Sequence, residues 1–136
     1  MKDNIIYDDL NAFCGDVHKT NVEAGWWDDL ERISAQLPDE KDRKIVEQWC
    51  LATKICLMHS ELSEMMEGLR KGIPDDKLPH LPMEEVEGAD VFIRLADYFG
   101  FRKFSLGTSV FSKMAFNLIR ADHKKENRDA PGGKGF

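Results

Sequence analysis

The sequence predicts an all-α protein, a bundle of four to five helices, and three observations carry that reading. Apolar residues recur every three to four positions through most of the chain. Glycine and proline stand where such stretches break, at places that suit helix ends. No segment shows the two-residue alternation of a half-buried strand. At 136 residues, the span 1–136 reads as one domain able to bury a core of modest size.

Each element follows from its own apolar spacing. Leu10, Phe13, Val17 and Val22 outline a first helix over roughly residues 4–24, interrupted by Gly25. A short helix follows from Asp28 to about Gln36, and Leu37-Pro38-Asp39 separates it from the next. The third helix runs from about Asp39 to Lys71, with Asp39 as N-cap and Gly72 just past its end. Ile45, Trp49, Ala52, Ile55, Cys56, Leu62, Met66 and Leu69 give it an apolar face. Leu51, Ile55, Met58, Leu62, Met65 and Leu69 give it a second stripe. A monomer this small leaves part of two stripes uncovered, so a homo-oligomer through the long helices is expected. Pro79 and Pro82 bracket the next connector. A fourth helix spans about Met83 to Phe99, with acids in its first turn and Gly100 at its end. The fifth starts near Ser105 and runs to about Lys125, with Leu106, Val110, Met114, Leu118 and Ala121 on one face.

Composition narrows the function classes. Hydrophobic residues at 42% and charged residues at 32% fit a folded chain, not a disordered one. A net charge of -6 argues against a broad nucleic-acid surface. Cys14, Cys50 and Cys56 form no C-x-x-C pair or Cys/His cluster, so they read as reduced thiols of a cytoplasmic protein, not as a zinc site. The first residues open no signal-peptide pattern, and no apolar run reaches the length of a membrane span. No membrane partner is expected.

The chemistry concentrates in two pairs of acids, Glu61-x-x-Glu64 and Glu87-x-x-Asp90. Residues three apart share a helix face, so two packed helices could aim four carboxylates at one point. Converging carboxylates repel one another and are costly to desolvate unless a cation joins them. An oxygen-only donor set favours hard cations, Mg²⁺ or Mn²⁺. The neighbours strengthen this: Leu57, Met58, Leu62 and Met65 surround Glu61, and Val86, Val91 and Ile93 surround Asp90. Glu67, Glu84 and Glu85 read as solvated charges. Di-iron carboxylate bundles use E-x-x-H, which is absent here, and a redox iron site is disfavoured.

Two further groups of residues complement the acids. Lys113, Asn117 and Arg120 fall on one stripe of the fifth helix, where a point charge, an amide and a bidentate guanidinium suit polyphosphate oxygens. Taken alone, that stripe is more often a solvated face. His18, Trp26 and Trp27 precede the acids. Adjacent tryptophans cannot both face inward on one helix, so one is free to wall a base-stacking pocket.

Together these residues resemble a family. The pattern E61-L-S-E64 followed by E87-G-A-D90 is similar to the E-x-x-E…E-x-x-D signature of the MazG-like, all-α nucleoside triphosphate pyrophosphohydrolases. The run HSELSEMMEGLRKG from His59 to Gly72 looks like that family's metal helix, and KMAFNLIR from Lys113 to Arg120 like its phosphate helix. HKTNVEAGWW from His18 to Trp27 resembles the base pocket of the small dCTP pyrophosphatases. The tail GGKGF, Gly132 to Phe136, is similar to the ends of small phage and bacterial MazG-like proteins. The likeness covers roughly residues 10–136.

The resemblance implies specific roles. Glu61, Glu64, Glu87 and Asp90 would bind Mg²⁺ or Mn²⁺, and Glu61 or Glu64 would handle the attacking water. Lys113, Asn117 and Arg120 would bind phosphates, and His18 and Trp27 would contact the base or sugar. The reaction would convert a nucleoside triphosphate, more specifically a deoxynucleoside triphosphate, and water to the monophosphate and pyrophosphate. The protein would act as a homodimer or homotetramer. Some features depart from the family: the segment from Trp27 to Glu61 is longer, no proline follows Arg120, and Arg94 replaces an aromatic one turn after Asp90. The alternative is a non-catalytic helical oligomer with a nucleotide-binding or regulatory role.

Overall fold

A computed structural model describes residues 2–133 of the chain. These residues are helical with irregular connections, and no strand occurs among them. The helices are α1 (Lys2–Glu23), α2 (Asp28–Gln36), α3 (Glu40–Lys71), α4 (Met83–Arg102), α5 (Leu106–Ile119) and α6 (Lys125–Arg128), with a 3-10 turn at Ala121–His123. The all-α expectation holds. The last three residues of the GGKGF tail lie outside the described residues. Among the described residues, no helix is long and apolar enough to cross a membrane.

The chain divides into two compact units. The larger comprises residues 12–104; the smaller joins the segment up to Asn11 with the segment from Ser105 onward. In the larger unit, α3 and α4 form an antiparallel pair. Asp39 caps α3 by accepting the Lys41 amide at 2.6 Å. Gly72 ends it at φ 62, with its N–H on the Gly68 carbonyl at 2.8 Å. The connector is pinned at several points. Asp75, buried, accepts the amides of Lys77 at 2.9 Å and Leu78 at 2.6 Å, and the Met83 amide reaches the Ile73 carbonyl at 3.1 Å. This turn sends α4 back along α3 with Gly68 against the backbone of Glu84.

One point the sequence leaves open is decided, and one boundary needs correction. On α3 the packed stripe is Leu51, Met58, Glu61, Met65 and Gly68, each buried or half-buried. The other stripe, through Trp49, Ile55, Leu62, Met66 and Leu69, is exposed, so one of the two apolar stripes is left uncovered. Gly100 does not end α4, which continues to Arg102. Its role is space: a Cβ there would lie 2.5 Å from both the Cys14 carbonyl oxygen and the His18 Cβ, so glycine permits the close approach of α1 and α4. Phe13 stacks on Phe92 farther along the same contact.

The smaller unit packs the start of α1 on the start of α5. Asn11 accepts the Gly107 amide at 3.0 Å and donates to the Ser105 hydroxyl at 3.1 Å, while Tyr7 lies 4.2 Å from Phe111 between ring centres. Here too a boundary differs from expectation. The fifth helix stops at Ile119, because Arg120 is extended at ψ 131 and the chain then enters the 3-10 turn. A charged run, Asp122 to Asp129, follows in place of the apolar spacing of α5.

Candidate functional site

One charged stripe of α4 organises the larger unit's polar interior. Glu87, Asp90, Arg94 and Asp97 are spaced by three, four and three residues, so they share a face. That face meets Lys54 and Glu61, seven residues apart on α3. Two carboxylate centres result.

The first is the acid cluster. Ligand oxygens of Glu61, Glu87 and Asp90 lie within 4.8 Å of one another, with Glu61 and Glu87 buried and Asp90 half-buried. Burial pushes the Glu87 carboxyl up to about 7, and the negative charge of Glu64 and the proximity of Glu61 and Asp90 push in the same direction. Glu64, expected as a fourth metal ligand, stands outside this triad and is exposed, though its charge is felt at Glu87. One cation is already present. Arg94 donates from Nε to Glu61 Oε1 at 2.7 Å, and its Nη2 contacts the same oxygen. The donor set suits a hard divalent cation. It is all oxygen and partly desolvated, and its three carboxylates converge within 4.8 Å of one another.

The second centre is Asp97, only 4% exposed. Its Oδ1 meets His18 Nδ1 at 2.7 Å and accepts the Trp27 indole N–H at 3.0 Å. Lys54 Nζ sits 3.9 Å from Oδ2 and 4.2 Å from the centre of the Trp27 ring. Phe101 stacks on Trp27 with ring centres 4.2 Å apart. The residues singled out for base contact are thus placed around Asp97, and Trp27 is buried among them.

Trp26 has the opposite fate. Gly25, at φ 82, ends α1 in the left-handed region and lets the two tryptophans diverge. Trp26 is 70% exposed. It lines a pocket of about 200 Å³ with Asn21, Lys54 and Leu57 on one part of the wall and Asp90, Ile93, Arg94 and Asp97 on another. An indole face, two cations and two carboxylates therefore share one recess, with Asp90 connecting it to the acid cluster.

Lys113, Asn117 and Arg120 all belong to the smaller unit. Lys113 Nζ lies 5.1 Å from the centre of the Phe116 ring. Asn117 holds a buried side-chain oxygen without a hydrogen-bond partner. Arg120 has left the helix, and its guanidinium grips Asp122, Nε to Oδ1 at 2.9 Å. The single helical stripe expected for these three is therefore shortened to Lys113 and Asn117.

Sequence reasoning missed Asp97, Lys54 and the exposure of Trp26, and gave Arg94 no role. The signal was present: four charges at helical spacing through the middle of α4, between the charged ends that Glu84, Glu85 and Arg102 mark. In comparisons with known proteins, no family model, curated protein or solved structure matches the chain.

Proposed function

We propose that this chain is a metal-dependent nucleoside triphosphate pyrophosphohydrolase of the MazG-like kind, acting on the bond between the α and β phosphates. The observation that supports it best is the triad of Glu61, Glu87 and Asp90, whose oxygens lie within 4.8 Å, sharing Asp90 with the Trp26 pocket. Glu61, Glu87 and Asp90 would hold Mg²⁺ or Mn²⁺. Such a cation supplies Lewis-acid polarisation of the phosphate oxygens. Glu64, exposed and outside the triad, is the carboxylate left to orient and deprotonate the attacking water. The exposed Trp26 indole stacks the base, and Lys54 donates to substrate oxygens or ring acceptors. His18 and Trp27 serve the base indirectly, by fixing Asp97. For Lys113, Asn117 and Arg120, which belong to the smaller unit, a phosphate role rests on the resemblance alone.

The α3 stripe of Ile55, Leu62, Met66 and Leu69, each at least 42% exposed, supports association of copies through this helix. Sedimentation of wild type and of Leu62→Glu/Met66→Glu tests that part. A wild type that sediments as a monomer removes it.

The enzyme reading is tested by pyrophosphate release from a panel of ribo- and deoxyribonucleoside triphosphates with Mg²⁺. Asp90→Asn and Glu64→Gln are expected to lower kcat/KM by about 10²-fold or more. Absence of release from every nucleotide by wild type ends the reading. Melting with Mg²⁺ and a non-hydrolysable nucleotide separates a nucleotide-binding chain from a purely structural bundle, since a ligand of the folded state raises Tm.

A further inference from the structure

We infer that Arg94 is a phosphate-binding residue of this site, holding Glu61 with one edge of its guanidinium and a substrate phosphate oxygen with the other. The inference rests on the nucleotide reading above and adds a phosphate-binding cation that the larger unit itself supplies. Arg94 belongs to both halves of the site. Its Nε donates to Glu61 Oε1 at 2.7 Å, and its Nη2 contacts the same oxygen. It also lines the Trp26 recess together with Asp90, a member of the acid triad. A phosphate that reaches Asp90 and its cation from the recess therefore has Arg94 as a neighbour.

The guanidinium still has donors to offer. It is a planar fork of N–H groups. Nε and Nη2 both point at one Glu61 oxygen, and Nη1 has no partner among the described residues. The side chain is 39% exposed, so packing does not close off its outer edge. Arg120 is the contrast. In the smaller unit its Nε and Nη2 meet the two oxygens of Asp122 one to one, a fork-on-fork pair complete in itself. The Arg94 pair leaves Glu61 Oε2 outside it on one side and Nη1 on the other. Charge gives a reason for an arginine here. Three carboxylates around a divalent cation keep one negative charge in excess, and that excess repels an approaching polyphosphate. Arg94 cancels it from the wall of the recess. Lys54 does not, because it sits 3.9 Å from Asp97 Oδ2 and donates to the Trp26 carbonyl at 3.1 Å. An arginine also grips phosphate through parallel N–H bonds, whereas lysine acts as a point charge.

Inorganic tripolyphosphate, which has no base, tests this. Calorimetry reads its binding at saturating Mg²⁺ to wild type, Arg94→Gln and Arg94→Lys, and reads Mn²⁺ binding alone in parallel. Arg94→Gln is expected to weaken tripolyphosphate binding at least about tenfold, as loss of a hydrogen bond to a charged group does. Its Mn²⁺ affinity is expected to hold or rise, since a cation beside the triad is gone. Arg94→Lys keeps a charge for Glu61 without the second edge, and is expected to bind tripolyphosphate more weakly than wild type. Equal tripolyphosphate binding by wild type and Arg94→Gln overturns the inference, as does full recovery in Arg94→Lys. An arginine that only positions Glu61 gives that equal binding, with Mn²⁺ affinity lowered about 10–100-fold instead. Should Arg94→Gln fail to fold by circular dichroism, Arg94→Lys decides alone. A wild type that releases pyrophosphate from nucleotides but binds tripolyphosphate no better than the variants keeps the enzyme reading and removes only the role of Arg94. If it neither binds tripolyphosphate nor hydrolyses any nucleotide, both fall.

Discussion

Asp97 and Glu87 are both buried acids on one face of α4, ten residues apart, yet they are held in opposite ways. Asp97 faces donors: His18, Trp27 and Lys54. Glu87 faces other acids, and burial lifts its carboxyl to about 7. A buried carboxylate among donors stabilises the structure that supplies them. A buried carboxylate among carboxylates stabilises the structure only when something positive arrives. The first centre satisfies its charge within the fold; the second, on the reading proposed above, would do so with a cation.

The largest effect should come from removing Asp97. Asp97→Ala strips the acceptor from the Trp27 indole N–H and from His18 at once and removes the nearby carboxylate from Lys54, at a cost of about 3–5 kcal/mol, as for other broken buried charge pairs. Removing the charge at Glu87 should have the opposite sign near neutral pH, because Glu87→Gln relieves repulsion. Chemical denaturation of both variants at pH 8 checks this. Equal destabilisation by the two would erase the distinction.

Next comes the pH dependence of Glu87. Its folded pKa of about 7 lies above the ordinary 4.5, so the folded chain binds a proton that the unfolded chain releases. Stability on this account is full below about pH 4.5 and falls as pH rises to about 7, by up to about 3 kcal/mol. Glu87→Gln is expected to flatten that interval. Cation binding displaces the same proton, so the rise in Tm on adding Mn²⁺ should be larger at pH 8 than at pH 6. A pH-independent rise would mean that Glu87 is not among the ligands.

A smaller effect is expected at Gly100, and its sign is informative. Alanine in a helix interior is ordinarily favoured over glycine by about 1 kcal/mol. Here the added Cβ meets Cys14 and His18 at 2.5 Å, so Gly100→Ala should destabilise by about 1–3 kcal/mol. The strain falls on the His18 side of the Asp97 centre. The variant should loosen that centre, followed by the His18 ring resonances, without changing Mn²⁺ affinity.

Much of this was legible from residues. Helix type, the Asp39 cap and the Gly72 stop follow from local chemistry, and the structure agrees on each. Glu87 and Asp90 enter one cluster, as their i, i+3 spacing on a helix face allows, whereas Glu64, at the same spacing from Glu61, stays outside it. What was not legible was pairwise. Two apolar stripes on α3 have similar composition, and which one packs is decided by the register that the Asp75 turn imposes on α4. Gly100 reads as a stop because a close approach between helices leaves no local mark. Trp26 and Trp27 are alike in sequence, and the φ of Gly25 separates them.

That separation supports the smallest stability effect and the sharpest contrast. Trp27 is 6% exposed and stacked on Phe101, whereas Trp26 is 70% exposed. Trp27→Ala should cost about 3–5 kcal/mol, in line with large-to-small core changes. Trp26→Ala should change stability by less than about 0.5 kcal/mol, as an exposed substitution does. If Trp26 is the stacking wall, its loss should nonetheless weaken nucleotide binding by about 1–3 kcal/mol, roughly five- to more than a hundredfold in Kd. Paired measurements of Tm and nucleotide Kd on the two variants read both quantities. A Trp26→Ala chain that binds as wild type does would return the base-stacking role to a tryptophan that must first leave the core.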